Sequence, residues 1–308
     1  MKNEYLIGSN AEILKKIDGE SVDLVYVDPP YCTGRDFYHF DDRFESSEDY
    51  RELLIKPMVI ECHRILTKCG TIVVHVEPKI AHHIRIVMDE VFGEKRFRNE
   101  IAWVCGGNHK SKKQLQRNHD SIIVYTKSAN SIFNPEHRPY DKKTIEKAKI
   151  CDVYNKPYVT SALVNRQPNV VPRPNLRYEW NGNYLQWHYS KERMQKLHDE
   201  ERLEYSKKTG IPRIKKFFDE MDGIPIKDVW DDISQIQANE KLDYATQKPV
   251  ALLDRIIKMY SNPNSTVCDP CAGSGTTGRS AIKNQRNYIL IDINEEGKEL
   301  FYKSIQAV

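Results

Sequence analysis

The chain has 308 residues, of which 39% are hydrophobic, so it can bury the core of one large domain or of a domain with an insertion. A net charge of +3 neither requires nor excludes a nucleic-acid partner, and no apolar run reaches the length of a membrane span. The first residues lack the apolar region of a signal peptide, and we therefore expect a cytoplasmic protein without a membrane partner.

The first 127 residues alternate between short apolar runs and segments with helical spacing. The runs predict strands, and the spacing predicts helices. The predicted strands are 4–7, 22–28, 71–76, 100–105 and 121–126, and the predicted helices are 10–17, 47–67 and 80–91. Strands that alternate with helices favour a largely parallel sheet with helices on both faces.

Residues 128–240 are polar, rich in Lys, Arg, Asn, Pro and Tyr, and show little periodicity. A segment of this length is too long for a plain loop in a compact domain, so we predict a functional insertion. The α/β pattern then resumes, with a helix at 249–260, a strand at 266–269, a helix at 276–283 and a strand at 288–292. The predicted sheet domain is therefore 1–127 joined to 241–308, with 128–240 inserted.

The sequence Asp28-Pro29-Pro30-Tyr31 ends the second predicted strand, and ligands of open α/β sheets bind at the carboxyl ends of strands. An amine conjugated to a ring is a poor nucleophile. The Asp28 carboxylate and the Pro29 carbonyl can accept its N–H bonds and free its lone pair for attack. The prolines fix these acceptors, and Tyr31 offers a ring for stacking. The alternative is an ordinary Pro-Pro turn after a strand, and the motif alone leaves it open.

A second motif lies between the strand 266–269 and the following helix. It consists of Asp269, Pro270, Cys271, Ala272, Gly273, Ser274, Gly275, Thr276 and Thr277. Two glycines allow a tight turn and close approach of a ligand, and the helix N-terminus favours an anionic group such as a carboxylate. Asp292, at the end of the next strand, can bind two ribose hydroxyls.

The same glycines allow a competing interpretation. Gly273, Gly275 and Gly278 satisfy GxGxxG, and Asp292 follows at the distance typical of a dinucleotide fingerprint. A nicotinamide oxidoreductase is therefore an alternative, but nothing in such an enzyme calls for the motif at 28–31. A nucleoside ligand without a pyrophosphate fits both motifs better. Cys268 and Cys271 have CxxC spacing without a second pair, so no metal site is predicted.

Together the two motifs resemble those of amino-group DNA methyltransferases of the β arrangement, in which the catalytic motif comes first and the cofactor motif last. Four further stretches extend the resemblance. Residues 28–44 are similar to DPPYNTGxDFxYxDxF of Type III modification subunits and shorter Type II relatives, 118–125 to HD-x-I-x-x-Y, 228–233 to D-x-W-x-D-I, and 246–249 to TQKP. The chain departs from the family at Cys32 (usually Asn), Cys271 (usually Phe) and Ser9-Asn10 (often Gly-Asp).

The resemblance implies a circularly permuted Rossmann-like sheet, S-adenosylmethionine as cofactor and double-stranded DNA as substrate, with residues 128–240 as target-recognition region. Asp rather than Ser before the prolines favours adenine N6 over cytosine N4. Cytosine N4, RNA and a non-catalytic DNA-binding subunit stay open as alternatives. A cognate restriction endonuclease and a second copy of the chain are candidate partners.

Site residues follow from the motifs and the resemblance together. The catalytic candidates are Asp28, Pro29, Pro30 and Tyr31. The candidates for cofactor binding are Asp28, Lys248, Asp269, Pro270, Cys271, Ala272, Gly273, Gly275, Thr276 and Asp292, with Lys248 pairing with the cofactor carboxylate. Residues 106–119 and 207–216 are basic and contain no acid. In the first of these, Lys110, Lys112, Lys113 and Arg117 are candidates for DNA phosphate contacts, against the alternative of a solvated loop.

Overall fold

The computed structural model describes residues 2–32, 36–37, 40–41, 44–106, 113, 115–164, 173–236, 240–244 and 246–306. Its contacts divide the chain into two compact units. The sheet unit comprises Met1–Glu136 and Ile226–Val308, and the inserted unit comprises His137–Pro225. The inserted unit is shorter than the predicted insertion at both ends, because the chain returns to the main sheet soon after Pro225. That this unit recognises the target stays a prediction.

The strands of the described residues are named in chain order. They are β1 (Glu4–Ile7), β2 (Val22–Val27), β3 (Asp36–Phe37), β4 (Phe40–Asp41), β5 (Leu66–Val76), β6 (Phe97–Val104), β7 (His119–Thr126), β8 (His137–Arg138), β9 (Lys149–Cys151), β10 (Lys156–Ala162), β11 (Arg177–Trp180), β12 (Asn183–Gln186), β13 (Leu203–Tyr205), β14 (Pro212–Phe217), β15 (Ile224–Pro225), β16 (Val229–Trp230), β17 (Thr266–Asp269) and β18 (Asn287–Asp292).

The helices are named in the same way. They are α1 (Asn10–Leu14), α2 (Ser47–Asp49), α3 (Lys56–Ile65), α4 (Pro78–Phe92), α5 (Lys142–Glu146), α6 (Lys191–Asp199), α7 (Val250–Tyr260), α8 (Thr276–Lys283) and α9 (Glu295–Gln306). A π-helical segment (Tyr50–Ile55) joins α2 to α3, and short 3-10 turns lie at Glu94–Arg96, Pro174–Leu176 and Phe218–Glu220. None of the described helices is long and apolar enough to cross a membrane.

The sheet unit is built on one sheet with the strand order β1-β18-β17-β2-β5-β7-β6-β16. Its strands are parallel except for β7, which pairs antiparallel with both neighbours. The late strands β17 and β18 lie between β1 and β2, as a permuted chain order requires. The structure therefore confirms the predicted, largely parallel sheet.

Alternating side chains of the central strands feed two separate hydrophobic cores. On β2, Val25 and Val27 pack with residues of α1, α3 and α4, whereas Leu24 and Tyr26 pack with residues of α7, α8 and α9. Successive side chains of a strand point to opposite faces, so each face of the sheet is covered by one helical layer. Helices on both faces were predicted, although α9 was not.

The inserted unit has its own small core. A four-stranded sheet in the order β13-β14-β10-β9 contributes Leu203 and Ile214, and α6 contributes Met194 and Leu197. Trp187 is buried in the same cluster and donates its indole N–H to the Tyr178 carbonyl at 2.9 Å. The strands β8 and β15 pair antiparallel, so this unit begins and ends at adjacent positions.

Candidate active site

A cavity of about 300 Å³ opens in the sheet unit where β1, β18, β17 and β2 end. These four strands are neighbours and parallel, so their carboxyl ends meet at one edge of the sheet. Residues 28–31 and the residues of the glycine turn (269–277), except Gly275, line the cavity together, although about 240 positions separate them. Gly275 lies inside the turn and does not itself line the cavity.

The carboxylate of Asp28 lies between two side-chain donors. The Tyr31 phenol donates to Oδ1 at 2.5 Å, and the Lys248 ammonium donates to Oδ2. The side chains of Asp28 and Lys248 are only 16% and 15% exposed, which limits the water that competes for this ion pair. Lys248 was predicted to pair with the cofactor carboxylate; in this structure its partner is Asp28.

The prolines after β2 are held from the neighbouring helix. The Tyr50 hydroxyl donates to the Pro30 carbonyl at 2.7 Å, and Leu54 lines the cavity. Both residues belong to the π-helical segment before Pro57. Proline has no N–H to continue the regular ladder, so the helix accommodates a wider turn before it. This wider turn presents Tyr50 to the main chain of the 28–31 segment.

The glycine turn is held by main-chain bonds and close packing. Gly273 and Gly275 have φ values of +51° and +74°, a backbone region that residues other than glycine rarely adopt. A Cβ on Gly275 would lie 2.5 Å from Phe301, and a Cβ on Gly297 would lie 2.2 Å from the Gly273 carbonyl oxygen. The turn therefore accepts no side chain at these positions, and its shape is fixed before any ligand binds.

Asp269 fixes the start of this turn from inside the protein. Its carboxylate accepts the Thr277 hydroxyl at 2.5 Å and the Cys271 N–H at 2.9 Å, and the residue is buried. Burial raises the pKa of Asp269 to about 7, far above the ordinary value of a carboxyl. Asp269 borders the cavity, and these bonds give it a second role, in tying the turn to α8.

Asp292 links β18 to the same turn. Its Oδ2 accepts the Gly273 N–H at 2.8 Å, and its Oδ1 accepts the Asn294 N–H at 2.9 Å. Asp292 also lines the cavity. Asn10, at the family departure Ser9-Asn10, also lines the cavity and donates to the Pro270 carbonyl at 3.3 Å.

Among the tyrosines of the site that were not predicted, two lie against Gly273. Tyr244 lines the cavity, and its ring lies 3.0 Å from the position that a Cβ on Gly273 would take. The Tyr5 hydroxyl donates to the Gly273 carbonyl at 2.6 Å. Tyr244 precedes the TQKP motif by two positions, which is the one sequence signal that points to it. Tyr5 carries no signal beyond its place in β1.

A buried polar chain lies beside the 28–31 segment. The Tyr26 hydroxyl bonds to His75 Nδ1 at 2.9 Å, and His75 Nε2 bonds to Asp120 Oδ2 at 3.2 Å. Burial raises the pKa of Asp120, but the bond to His75 and the nearby positive charges, among them Lys248, together outweigh burial, and the pKa is lowered. These three residues occupy adjacent strands, and the His75 ring lies 6.5 Å from that of Tyr31. Asp120, in the stretch that resembles HD-x-I-x-x-Y, therefore holds His75, whose ring lies beside that of Tyr31.

The predicted DNA-binding residues belong to the loop between β6 and β7. Lys110 and Lys112 lie outside the described residues. Lys113 is exposed, and Arg117 forms an ion pair with Glu77 at 2.6 Å. Because β6 runs in the same direction as β2 and β5, this loop leaves the sheet at the edge that holds the cavity. Contact with DNA stays a prediction for all four residues.

Comparison with protein families and curated proteins identifies relatives over nearly the whole chain. The family model N6_N4_Mtase, described as DNA methylase, matches residues 22–303. The Type II methyltransferase M.EcaI of Enterobacter cloacae is 28% identical over 95% of this chain and 67% of its own length. The DNA adenine methyltransferase YhdJ of Escherichia coli K12 is 29% identical over 92% of this chain and 76% of its own length.

A longer relative and a solved structure complete the comparison. The StyLTI Mod subunit, from a Type III restriction-modification enzyme of Salmonella typhimurium, is 26% identical, and the chain spans 52% of its length. The crystal structure of M1.HpyAVI in complex with SAM superposes with a TM-score of 0.55 at 16% identity, covering 98% of each chain. The structural similarity establishes that the fold is shared.

Proposed function

The chain belongs to the N6/N4 family of DNA methylases, and on this premise we propose that it transfers a methyl group to N6 of adenine in double-stranded DNA. The observation that carries the proposal is the single cavity bordered by both the 28–31 segment and the glycine turn. One motif offers acceptors for an amine, and the other offers a fixed turn for a nucleoside. Transfer between two substrates requires both at one site.

The cofactor is S-adenosylmethionine, which supplies an electrophilic methyl group on a sulfonium. Several features of this cavity fit such a molecule. Its volume suits a small ligand, and Gly273, which has no side chain, lines it beside the Tyr244 ring. Asp292 would accept ribose hydroxyls, the first turn of α8 would face an anionic group, and Lys248 would pair with the carboxylate. Asp269 would hold the turn in shape.

In this proposal Asp28 and the Pro29 carbonyl accept the two N–H bonds of the target amine. That draws the nitrogen towards tetrahedral geometry and makes its lone pair available. The base must leave the duplex to reach them, at a cost of a few kcal/mol. Burial raises the pKa of Tyr31 well above its ordinary value, so the phenol remains a proton donor to Asp28 while its ring stacks on the base.

Two observations support adenine over cytosine. Aspartate rather than serine precedes the prolines at position 28, and a relative that aligns with 92% of this chain carries the name DNA adenine methyltransferase. Transfer to cytosine N4 is the second candidate, since the family covers both amines. The same acceptors serve either base, so the choice depends on the shape of the base pocket.

The proposal extends to partners. The inserted unit, with the basic stretch 207–216, would read the target sequence, and the loop that carries Arg117 would contact phosphates. M.EcaI and StyLTI Mod are named as parts of Type II and Type III systems. We therefore include a cognate restriction endonuclease as a candidate partner, and a second copy of this chain as another.

The test is analysis of modified nucleosides. DNA from cells that lack other methyltransferases would be hydrolysed after expression of this protein and separated by mass spectrometry. We expect N6-methyladenine, and its absence together with N4-methylcytosine would assign the second candidate instead. The variant Asp28→Ala should yield no modified base while still binding cofactor. Modified DNA from that variant would contradict the proposed mechanism.

A further inference from the structure

The charges around the cavity are unbalanced. Its described lining residues include the carboxyl groups of Asp28, Asp269 and Asp292, whereas Lys248 is their only Lys or Arg. A ligand carboxylate that enters this cavity meets like charges and has one side-chain cation to pair with. In this structure that cation is already bound to Asp28.

The carboxylate of Asp28 is engaged on both oxygens, by Tyr31 and by Lys248. Asp28 is also the group that must accept the target amine. An ammonium bound to Asp28 offsets the negative charge that makes this carboxylate a good acceptor. The ammonium also occupies the space beside Oδ2. The ammonium that would pair with a ligand carboxylate and the carboxylate that would accept the target amine are therefore bound to each other. Neither group is available while this ion pair persists.

We propose that Lys248 is a positioning residue that exchanges partners, so that cofactor binding releases Asp28 for the target amine. The inference rests on the proposed function, because it assumes a cofactor with a carboxylate in this cavity. Lys248 carries its charge on a flexible four-carbon chain, so it can turn from Asp28 to a nearby anion without movement of the main chain. Asp28 then keeps its bond from Tyr31 and recovers a free oxygen.

The exchange makes cofactor and base binding an ordered process. Before cofactor arrives, Asp28 is paired with Lys248 and binds an amine weakly. Afterwards Lys248 faces the cofactor carboxylate, and Asp28 is free of this counter-ion when methyl transfer becomes possible. The ion pair therefore lowers the affinity of the resting protein for the ligand that breaks it, because that ligand must compete with Asp28.

The experiment measures binding by calorimetry and needs no methyl transfer. The ligands are S-adenosylhomocysteine, which has no sulfonium to interact with Asp28, and its decarboxylated analogue. The proteins are wild type, Asp28→Asn, Lys248→Met and the double variant. The control is Glu299→Gln, which removes a lysine–glutamate pair (Lys303 Nζ to Glu299 Oε2, 3.5 Å) on α9.

We expect Asp28→Asn to tighten S-adenosylhomocysteine binding by about tenfold, the equivalent of about 1.4 kcal/mol. Lys248→Met should weaken binding and abolish the gain in the double variant. The decarboxylated analogue should bind no more tightly to Asp28→Asn than to wild type. Glu299→Gln should change the affinity for neither ligand. Unchanged or weaker binding of S-adenosylhomocysteine to Asp28→Asn would overturn the proposal. That comparison needs only the isosteric variant, so misfolding of Lys248→Met would not decide it.

These outcomes separate the two proposals. The expected affinity pattern without any methylated base in DNA would leave the partner exchange standing and remove the proposed function. Methylated adenine in DNA, without tighter binding of S-adenosylhomocysteine to Asp28→Asn, would support the proposed function and remove the partner exchange.

Discussion

On one side of the cavity the glycine turn is held by main-chain bonds, by the carboxylates of Asp269 and Asp292 and by packing against Phe301, whereas on the other side Asp28 is held by two side chains. Main-chain bonds and close packing leave one arrangement. An ion pair at a cavity wall can be replaced by another of similar energy. The difference suggests that the cofactor side is rigid before binding, while the base side is set by what binds.

Asp269 tests the rigid side most strongly. Its raised pKa of about 7 means that the folded protein holds a proton that the unfolded chain loses near pH 4. The stability that this proton contributes to the wild type should be fully present below about pH 4, be lost as the pH rises towards about 7, and stay lost above it. In Asp269→Asn this loss is absent, so its unfolding free energy relative to wild type should rise by about 4 kcal/mol across that window. Denaturant unfolding at each pH measures it, and parallel curves would contradict the assignment.

A methyl group on Gly275 tests the packing of the turn. The residue has φ +74°, and a Cβ would overlap Phe301 at 2.5 Å. Strain and overlap together should reduce the unfolding free energy by about 3 kcal/mol. Gly182 is a matched control, because it has the same φ of +74° but no atom within 4 Å of a Cβ. Gly182→Ala should cost only about 1 kcal/mol. Equal losses in thermal and denaturant unfolding would show that packing adds nothing at 275.

Tyr31 tests the exchangeable side. Loss of the ring in Tyr31→Ala should raise the KM for DNA roughly 30-fold, the equivalent of about 2 kcal/mol of stacking. Tyr31→Phe keeps the ring and loses only the bond to Asp28, so its KM should stay within about threefold of wild type. Steady-state methyl transfer at varied DNA concentrations distinguishes them. If both variants lost the same affinity, the hydroxyl rather than the ring would be responsible.

Arg117 gives the smallest expected effect. If it exchanges Glu77 for a phosphate, Arg117→Ala should weaken DNA binding a few-fold and reduce the slope of log K against log salt by about one. Lys303→Ala removes a comparable paired cation on α9 and should leave the slope unchanged. Fluorescence anisotropy at several salt concentrations measures both. A slope that did not change in Arg117→Ala would place this arginine off the DNA.

Local pattern carried much of the fold. The strands 4–7 and 266–269 and the helix 276–283 have the predicted bounds. Gly8 marks the end of the first strand, and Gly275 marks the start of the helix. The two-residue strand β16 was missed because its place depends on pairing of Trp230 with Trp103, far away in sequence. The helix α9 was also missed, because no apolar periodicity was assigned to the residues after Asp292.

The candidate site was predictable in its parts and not in its connections. Both motifs were found from residue type and spacing, and the cavity contains them. The pairing of Lys248 with Asp28 joins positions 220 residues apart, and no local rule specifies it. For Tyr244 the nearby TQKP motif is a signal, but it does not specify that the ring packs on Gly273, 29 positions away.

The pairing of β8 with β15 has a consequence for how such a chain can diversify. Ile224 lies opposite Arg138 and Pro225 opposite His137, and the Ile226 N–H bonds to the Glu136 carbonyl just outside the pair. Because the two ends of the inserted segment lie side by side, the entropic cost of closing it grows only slowly with its length. Inserted units of different size could thus replace residues 137–225 while the main sheet and the cavity stay unchanged.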